Sequence, residues 1–420
     1  MESEIVSLPF PDVPFVAVAI ASFDIVSGVK VGHRWLFSED PLKVKLEDVF
    51  KMALCNVHRQ NEKYFTECSI STTEMPQFDW YMINSIFYLT RKPRSAYFTI
   101  GVIMKASKIK NNPYFHDLLN TYMKIISDIL RQSLIDKKSY SFLTPSIKAF
   151  TSNITQIVTC DIKNIPEYDY SEIDTSFLSL LLTSHLQTQM TTVIECQTQH
   201  EAKIIASFLA HFLMPTQREM SSLELHQKPI PGLFLQCVER QKTARNELMI
   251  KFQKPVTWVK LSDHTIEQTD IETQNLFEIS QISSQYFFYS QTNTKSKVNQ
   301  LFQKYKPVQV KTPAPWACAT IQYIIQSPNS TQNMICDLQM SAIIRTSIAY
   351  VALVGEKEKL LQNESVLPNS QKEIIAKTLR LIGIEDIKIV RSIACLFDKK
   401  IPLKYVRQQK PGISKILELV

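Results

Sequence analysis

The residues of this 420-residue chain best suited to chemistry are charged and aromatic rather than nucleophilic. Arg91 and Arg94 bracket Lys92 and Pro93 in a basic turn between two strand-like runs. An arginine at an exposed hairpin tip can reach the phosphate site of a GTPase and stabilise charge that develops during phosphoryl transfer. A solvated polar turn is the plainer alternative. Phe23 and Asp24 pose a similar choice at the end of an apolar run. An exposed aromatic beside a carboxylate can contact a partner, whereas a strand-ending core Phe and a turn-forming Asp account for the pair structurally.

Other chemistries lack their usual parts. The seven glycines are far fewer than average usage of about 7% would give. No two stand close enough for a phosphate loop, and GxGxxG, GxxxxGK[ST] and GxSxG are all absent. His185 and His211 fall within helix patterns without an i+4 histidine or an HExxH partner, so a helix-face or core-edge role is expected of His185. Glu195 and Glu201 are not paired in any pattern that spacing reveals. The eight cysteines are scattered singly among apolar neighbours, as buried free thiols in a reducing compartment would be. No catalytic residue, cofactor site or metal site is therefore expected, and docking to other proteins is the favoured mode of action.

The elements that must position these residues are legible in periodicity. Phe15 to Phe23 is continuously apolar and predicts a strand covered on both faces. A second strand follows at Val31 to Phe37, then helix spacing at Leu46, Val49, Phe50, Ala53 and Leu54. Trp80 to Leu89 and Tyr97 to Met104 predict a hairpin with the basic turn at its tip. Asn112 is placed to cap, and Pro113 to open, a helix whose stripe runs through Phe115, Leu118, Leu119, Tyr122, Ile125, Ile126, Ile129 and Leu130.

From Asp136 to Thr175 periodicity fades, which predicts a linker. Beyond it, helix patterns at Phe177 to Gln189 and His200 to Met214 alternate with apolar runs at Thr191 to Cys196 and Leu233 to Val238, predicting a sheet flanked by helices. Thr198 and Glu201 have capping-box spacing. After about Thr273 helical stripes dominate, including one opened by Ser370 and Glu373 and closed by Gly383. The net charge of +7 includes a basic run near the C-terminus, Lys399 to Lys415, suited to acidic partners or anionic headgroups and short of aromatic platforms for nucleic acid. The acidic first residues do not form a signal peptide, and the Phe15 to Phe23 run is too short to span a bilayer, so a cytoplasmic protein is expected.

Two stretches carry a resemblance: AVAIASFDIVSGVKVGHRWLF (Ala17 to Phe37), and Phe177 to Glu219 with its SHLQT segment (Ser184 to Thr188), followed by PGLFLQC (Pro231 to Cys237). Together they resemble the longin-DENN family of the protein encoded by human chromosome nine open reading frame seventy-two. The resemblance implies an α/β chain with a longin domain at 10–138 (an antiparallel sheet with covering helices), a linker at 139–175, a DENN α/β subdomain at 176–272 and a DENN all-helical subdomain at 273–420. It implies a regulator of Rab- or Arf-class small GTPases in autophagy and endosome-lysosome traffic, by nucleotide exchange or within a GTPase-activating complex. The implied partners are the GTPase, a second longin-DENN protein that brings the catalytic arginine, and a WD-repeat subunit, with at most peripheral membrane association and no nucleic acid. A scaffold that stabilises the partner subunit on endolysosomal membranes is the rival reading. Phe23 and Asp24 match an aromatic-Asp step at the end of the first longin strand, with Phe where Trp is expected, and Arg94 and Ser95 match an Arg-Ser step in the later hairpin. The family's N-terminal extension and C-terminal tail look shortened, which bears on the WD-repeat subunit.

Overall fold

The computed structural model describes residues 4–7, 14–24, 28–37, 48–50, 68–91, 94–271, 274, 276–292, 294–305, 307–360, 377–379 and 381–398. It divides into two units, one of residues 1–159 with 287–295, the other of 160–286 with 296–420.

In the first unit, strands β1 (Glu4–Ser7), β2 (Phe15–Asp24), β3 (Gly28–Leu36), β4 (Ser69–Met75), β5 (Trp80–Arg91) and β6 (Arg94–Lys105) form one sheet in the order β1-β3-β2-β6-β5-β4. Five strands are antiparallel, as expected. The edge strand β1 instead joins β3 in parallel, a departure from the all-antiparallel expectation. Gly28, at φ 73°, supplies the left-handed backbone where β3 begins after the turn.

Alternation along the strands buries both faces. On one, Ala19, Ala21, Met82 and Ile103 meet Val49 and Phe50, the described part of the 46–59 helix pattern. Gly101 makes this approach possible, because a Cβ there would lie 2.6 Å from the Phe50 ring and 2.6 Å from Asn84 Oδ1.

The other face takes helix α1 (Pro113–Ile135), which contacts β4, β5 and β6. Asn112 caps it, its side chain accepting from the Tyr114 N–H at 3.0 Å, and all eight residues of the expected stripe are buried. Each such Leu or Ile contributes about 1.5–3 kcal/mol.

The expected linker is more ordered than its composition predicts. Helix α2 (Thr144–Thr159) lies within it and buries Ile147, Phe150, Ile154 and Ile157. That spacing is helical but is interleaved with Ser, Thr and Asn, which dilutes the apolar signal.

The second unit holds a sheet in the order β12-β11-β10-β7-β9-β8, built from β7 (Thr192–Cys196), β8 (Leu225–His226), β9 (Leu235–Glu239), β10 (Thr257–Lys260), β11 (Thr265–Thr269) and β12 (Pro307–Gln309). Strands β10, β7, β9 and β8 are parallel, and β11 and β12 add in antiparallel sense. Because β12 comes from beyond residue 300, a boundary at 272/273 does not separate sheet from helices.

The helices of this unit include α3 (Thr175–Gln187), α4 (Gln199–Ala210), α5 (Leu276–Gln291), α6 (Lys295–Lys304), α7 (Pro315–Gln326), α8 (Asn329–Leu360) and α9 (Ile384–Phe397); α5 ends in the first unit's 287–295 segment. Thr198 occupies the N-cap of α4 but makes no side-chain capping bond, so the capping box expected there is not formed. Gly383 is the N-cap of α9, whereas the spacing predicted that it closes a preceding helix. Ser370 and Glu373 of that helix lie outside the described residues, as does the basic run from Lys399. Among the described residues, seven cysteines are all free.

Candidate functional site

Topology gathers the four candidate contact residues at one end of the first unit's sheet. Strand β2 ends at Phe23 and Asp24, β5 ends at Arg91, and β6 begins at Arg94. Phe23 stands opposite Val29 on β3 and Tyr97 on β6, and Tyr97 stands opposite Tyr88 on β5, so one row crosses four strands. Phe23 is half-buried in that row, packed with Val29, Tyr88 and Tyr97 beside the buried Ile86. The Tyr88 and Tyr97 rings are 4.9 Å apart.

The row is a hydrophobic floor, and the hairpin continues past it. Arg91 and Arg94 occupy directly opposed register positions, three residues beyond the Tyr88–Tyr97 pair, roughly 10 Å at strand rise. Two like charges at opposed positions destabilise a hairpin. The structure describes the backbones of Arg91, Arg94 and Asp24 but not their side chains. The sequence offered Phe23 as partner contact or core; the fold leaves it half-buried, packed against Ile86. Tyr88 and Tyr97 were missed, although both stand at alternating positions in strand runs, and only the register reveals that they join Phe23.

A second constellation lies in the second unit, around the SHLQT segment. Ser184, His185, Gln187 and Thr188 are all buried, at 0%, 0%, 1% and 0% exposure. Ser184 Oγ donates to Gln268 Oε1 at 2.9 Å and contacts Thr257 Oγ1 at 2.7 Å, and Thr257 Oγ1 contacts Thr188 Oγ1 at 2.7 Å. Since the Ser184 proton is committed to Gln268, one arrangement puts a proton in each of these three contacts: Thr188 donates to Thr257, which donates to Ser184.

The Gln268 Nε2 group donates onward to Gln187 Oε1 at 3.2 Å, and Gln187 Nε2 donates to Glu385 Oε2 at 2.6 Å. Lys388 completes the series by donating to Glu385 Oε1 at 2.8 Å. The series opens on a pocket of about 300 Å³ whose lining includes Gln187, Gln268, Asp270, Lys311, Glu385 and Lys388. Apart from Gln187, which lies in SHLQT, none of these was singled out from the sequence, because their partners stand up to about two hundred residues away.

His185 is a core residue rather than a core-edge one. Its Nδ1 is 2.8 Å from Thr192 Oγ1, and burial pushes its pKa down to about 3, which keeps the ring neutral. Glu195 is buried and accepts from the Trp258 indole N–H at 2.8 Å and from the Gln241 N–H at 3.3 Å. His211 lies one residue past α4, with Nδ1 3.4 Å from Asp337 Oδ1, and burial outweighs that carboxylate to lower its pKa. Among the described residues, no group of three or more His, Cys, Asp or Glu could hold a metal ion.

The fold and these sites define a two-unit α/β protein with a candidate contact surface at one sheet end and a buried polar series in the second unit. The model of the C9orf72-like protein family matches residues 48–274, just over half of the 420-residue chain, and the chain belongs to that family. It is a DENN-like family, which points in general terms to regulation of small GTPases. No curated protein matches the chain.

Proposed function

We propose that this chain is a longin-DENN subunit that binds a Rab- or Arf-class small GTPase together with a second longin-DENN protein, and changes nucleotide exchange or hydrolysis without holding nucleotide itself. The observation that carries this reading is the convergence of Phe23, Asp24, Arg91 and Arg94 at one sheet end in a chain of a DENN-like family. A sheet end with an aromatic row, and with two arginines in register at its tip, combines apolar area with a residue type suited to phosphate oxygens.

In this reading the longin module is the first unit and the DENN module the second. The chain works in autophagy and endosome-lysosome traffic as a cytoplasmic protein, peripheral at most on those membranes, and a WD-repeat subunit is a further partner. No residue of this chain is assigned a catalytic role; the residues at the sheet end position the GTPase.

The test uses purified chain, alone and with its longin-DENN partner, against a panel of Rab and Arf proteins. At least one member shows an altered exchange or hydrolysis rate, and the Arg91→Ala/Arg94→Ala variant loses about 10-fold or more of the effect while still assembling with the partner, as expected for removal of charge-assisted hydrogen bonds worth about 1.5–3 kcal/mol each. Unchanged rates across the panel refute GTPase regulation. An effect that survives the arginine substitutions moves the contact elsewhere and favours the scaffold.

A further inference from the structure

Helix α8 is apolar on two opposite sides. Toward its own unit, Cys336, Met340, Ile343, Ser347, Tyr350 and Val354 are buried at alternating spacings of four and three, the seam by which a helix keeps one stripe against its neighbours. Helices α7 and α9 lie against it. Shifted back by two residues, about 200° around the axis, the same spacing recurs in Met334, Leu338, Ser341, Arg345, Ile348 and Ala352, all of them exposed. Met334, Leu338 and Ile348 keep 58%, 60% and 49% of their surface in solvent. Two opposed stripes, the outer one apolar except for Ser341 and Arg345, explain why Asn329–Val354 is long and apolar enough to cross a membrane although most of it is not buried.

We propose that the outer stripe of α8 is a self-association surface that pairs antiparallel with α8 of a second copy of this chain. Charge selects both occupant and direction. In an antiparallel pair centred on the level of residue 343, Leu338 of each copy meets Ile348 of the other and Met334 meets Ala352. Arg345 then falls beside Ser341 of the other copy and within one turn of its Asp337. Asp337 touches Arg218 at 3.5 Å within its own chain and keeps 58% of its side chain exposed. A parallel pair would stack Arg345 on Arg345, which is repulsive. Ser341, small and close to the centre of the stripe, lets the two axes approach closely. This surface belongs to the second unit and is independent of the GTPase reading.

The experiment measures sedimentation of the full chain over a range of concentrations. The expected result is a monomer–dimer equilibrium, weakened about 10- to 100-fold by Leu338→Glu, the loss expected when an apolar contact is replaced by a charge. Thermal unfolding of the monomer should not change, since Leu338 is exposed. For direction, Ala352→Cys alone should not self-link, whereas Met334→Cys/Ala352→Cys should link 334 to 352 on peptide mapping. A chain that stays monomeric throughout, a Leu338→Glu variant that dimerises like the parent, or self-linking at Ala352→Cys overturns the proposal. So does a monomer that floats with phosphatidylserine vesicles and is released by Leu338→Glu, because the stripe would then face lipid.

Discussion

Replacing Thr257 by Val keeps shape and removes one hydroxyl from the buried series around SHLQT. In the parent, Thr257 donates to Ser184 and accepts from Thr188, both at 2.7 Å. After the change, Ser184 still donates to Gln268, and Thr188 turns to the Ser184 carbonyl at 2.9 Å, so neither is left without an acceptor. The cost is then that of two net hydrogen bonds, partly recovered by the new methyl group, or about 1–2 kcal/mol. Ser184→Ala removes two bonds as well but leaves the buried Gln268 Oε1 without its donor, which raises the cost to about 2–3 kcal/mol. Both variants remove the same Thr257–Ser184 bond, so the double variant should fall short of the sum by about 1 kcal/mol. Urea unfolding followed by tryptophan fluorescence measures all four states, with Trp258 as the adjacent reporter. If the two losses add to within about 0.3–0.5 kcal/mol, the limit for independent sites, no shared bond exists and the deduced proton order is wrong.

Two further predictions concern the cores. Gly101→Ala should destabilise the chain by about 1–3 kcal/mol, because its Cβ would press on the Phe50 ring and Asn84; a melting temperature equal to the parent's would contradict that packing. His185 has a folded pKa pushed down to about 3 from 6.5, so between those values the unfolded chain binds the extra proton. Its contribution is whole above about pH 6.5 and is lost as pH falls toward 3, at about 1.4 kcal/mol per pH unit. His185→Gln should therefore flatten the stability–pH curve in that window by about one proton, and an unchanged slope would place the ring in water.

Some parts of this molecule were legible in sequence for reasons that survive in the fold. Asn112 and Pro113 announced α1 because cap chemistry is local, and its stripe was readable because a helix against a sheet needs one apolar side. The β5–β6 hairpin was readable because its turn is polar and both strands are covered. By contrast β4, SISTTEM, is an edge strand with little apolar content, and nothing in its residues separates it from a loop. Helix α2 was hidden among hydroxyls. The SHLQT segment stood out by residue type, yet its burial could not be foreseen, since Ser184, Gln187 and Thr188 are polar and their partners Thr257, Gln268 and Glu385 are distant. For the sheet end, sequence supplied the residue types, and strand register supplied the fact that they meet.

The reach of that buried series also sets an order of assembly during synthesis. Gln187 ends the first helix of its unit, and its amide and carbonyl are met by Glu385 and Ser392 of α9, across separations of 198 and 205 residues. Until the ribosome has released α9, the growing chain has the amide but not the carboxylate that receives it, so α3 and the sheet can collapse but not close. A chaperone or protease acting on the nascent chain would meet an open polar seam that the finished protein no longer presents. Truncations that remove α9 should then fail throughout the second unit rather than at its end.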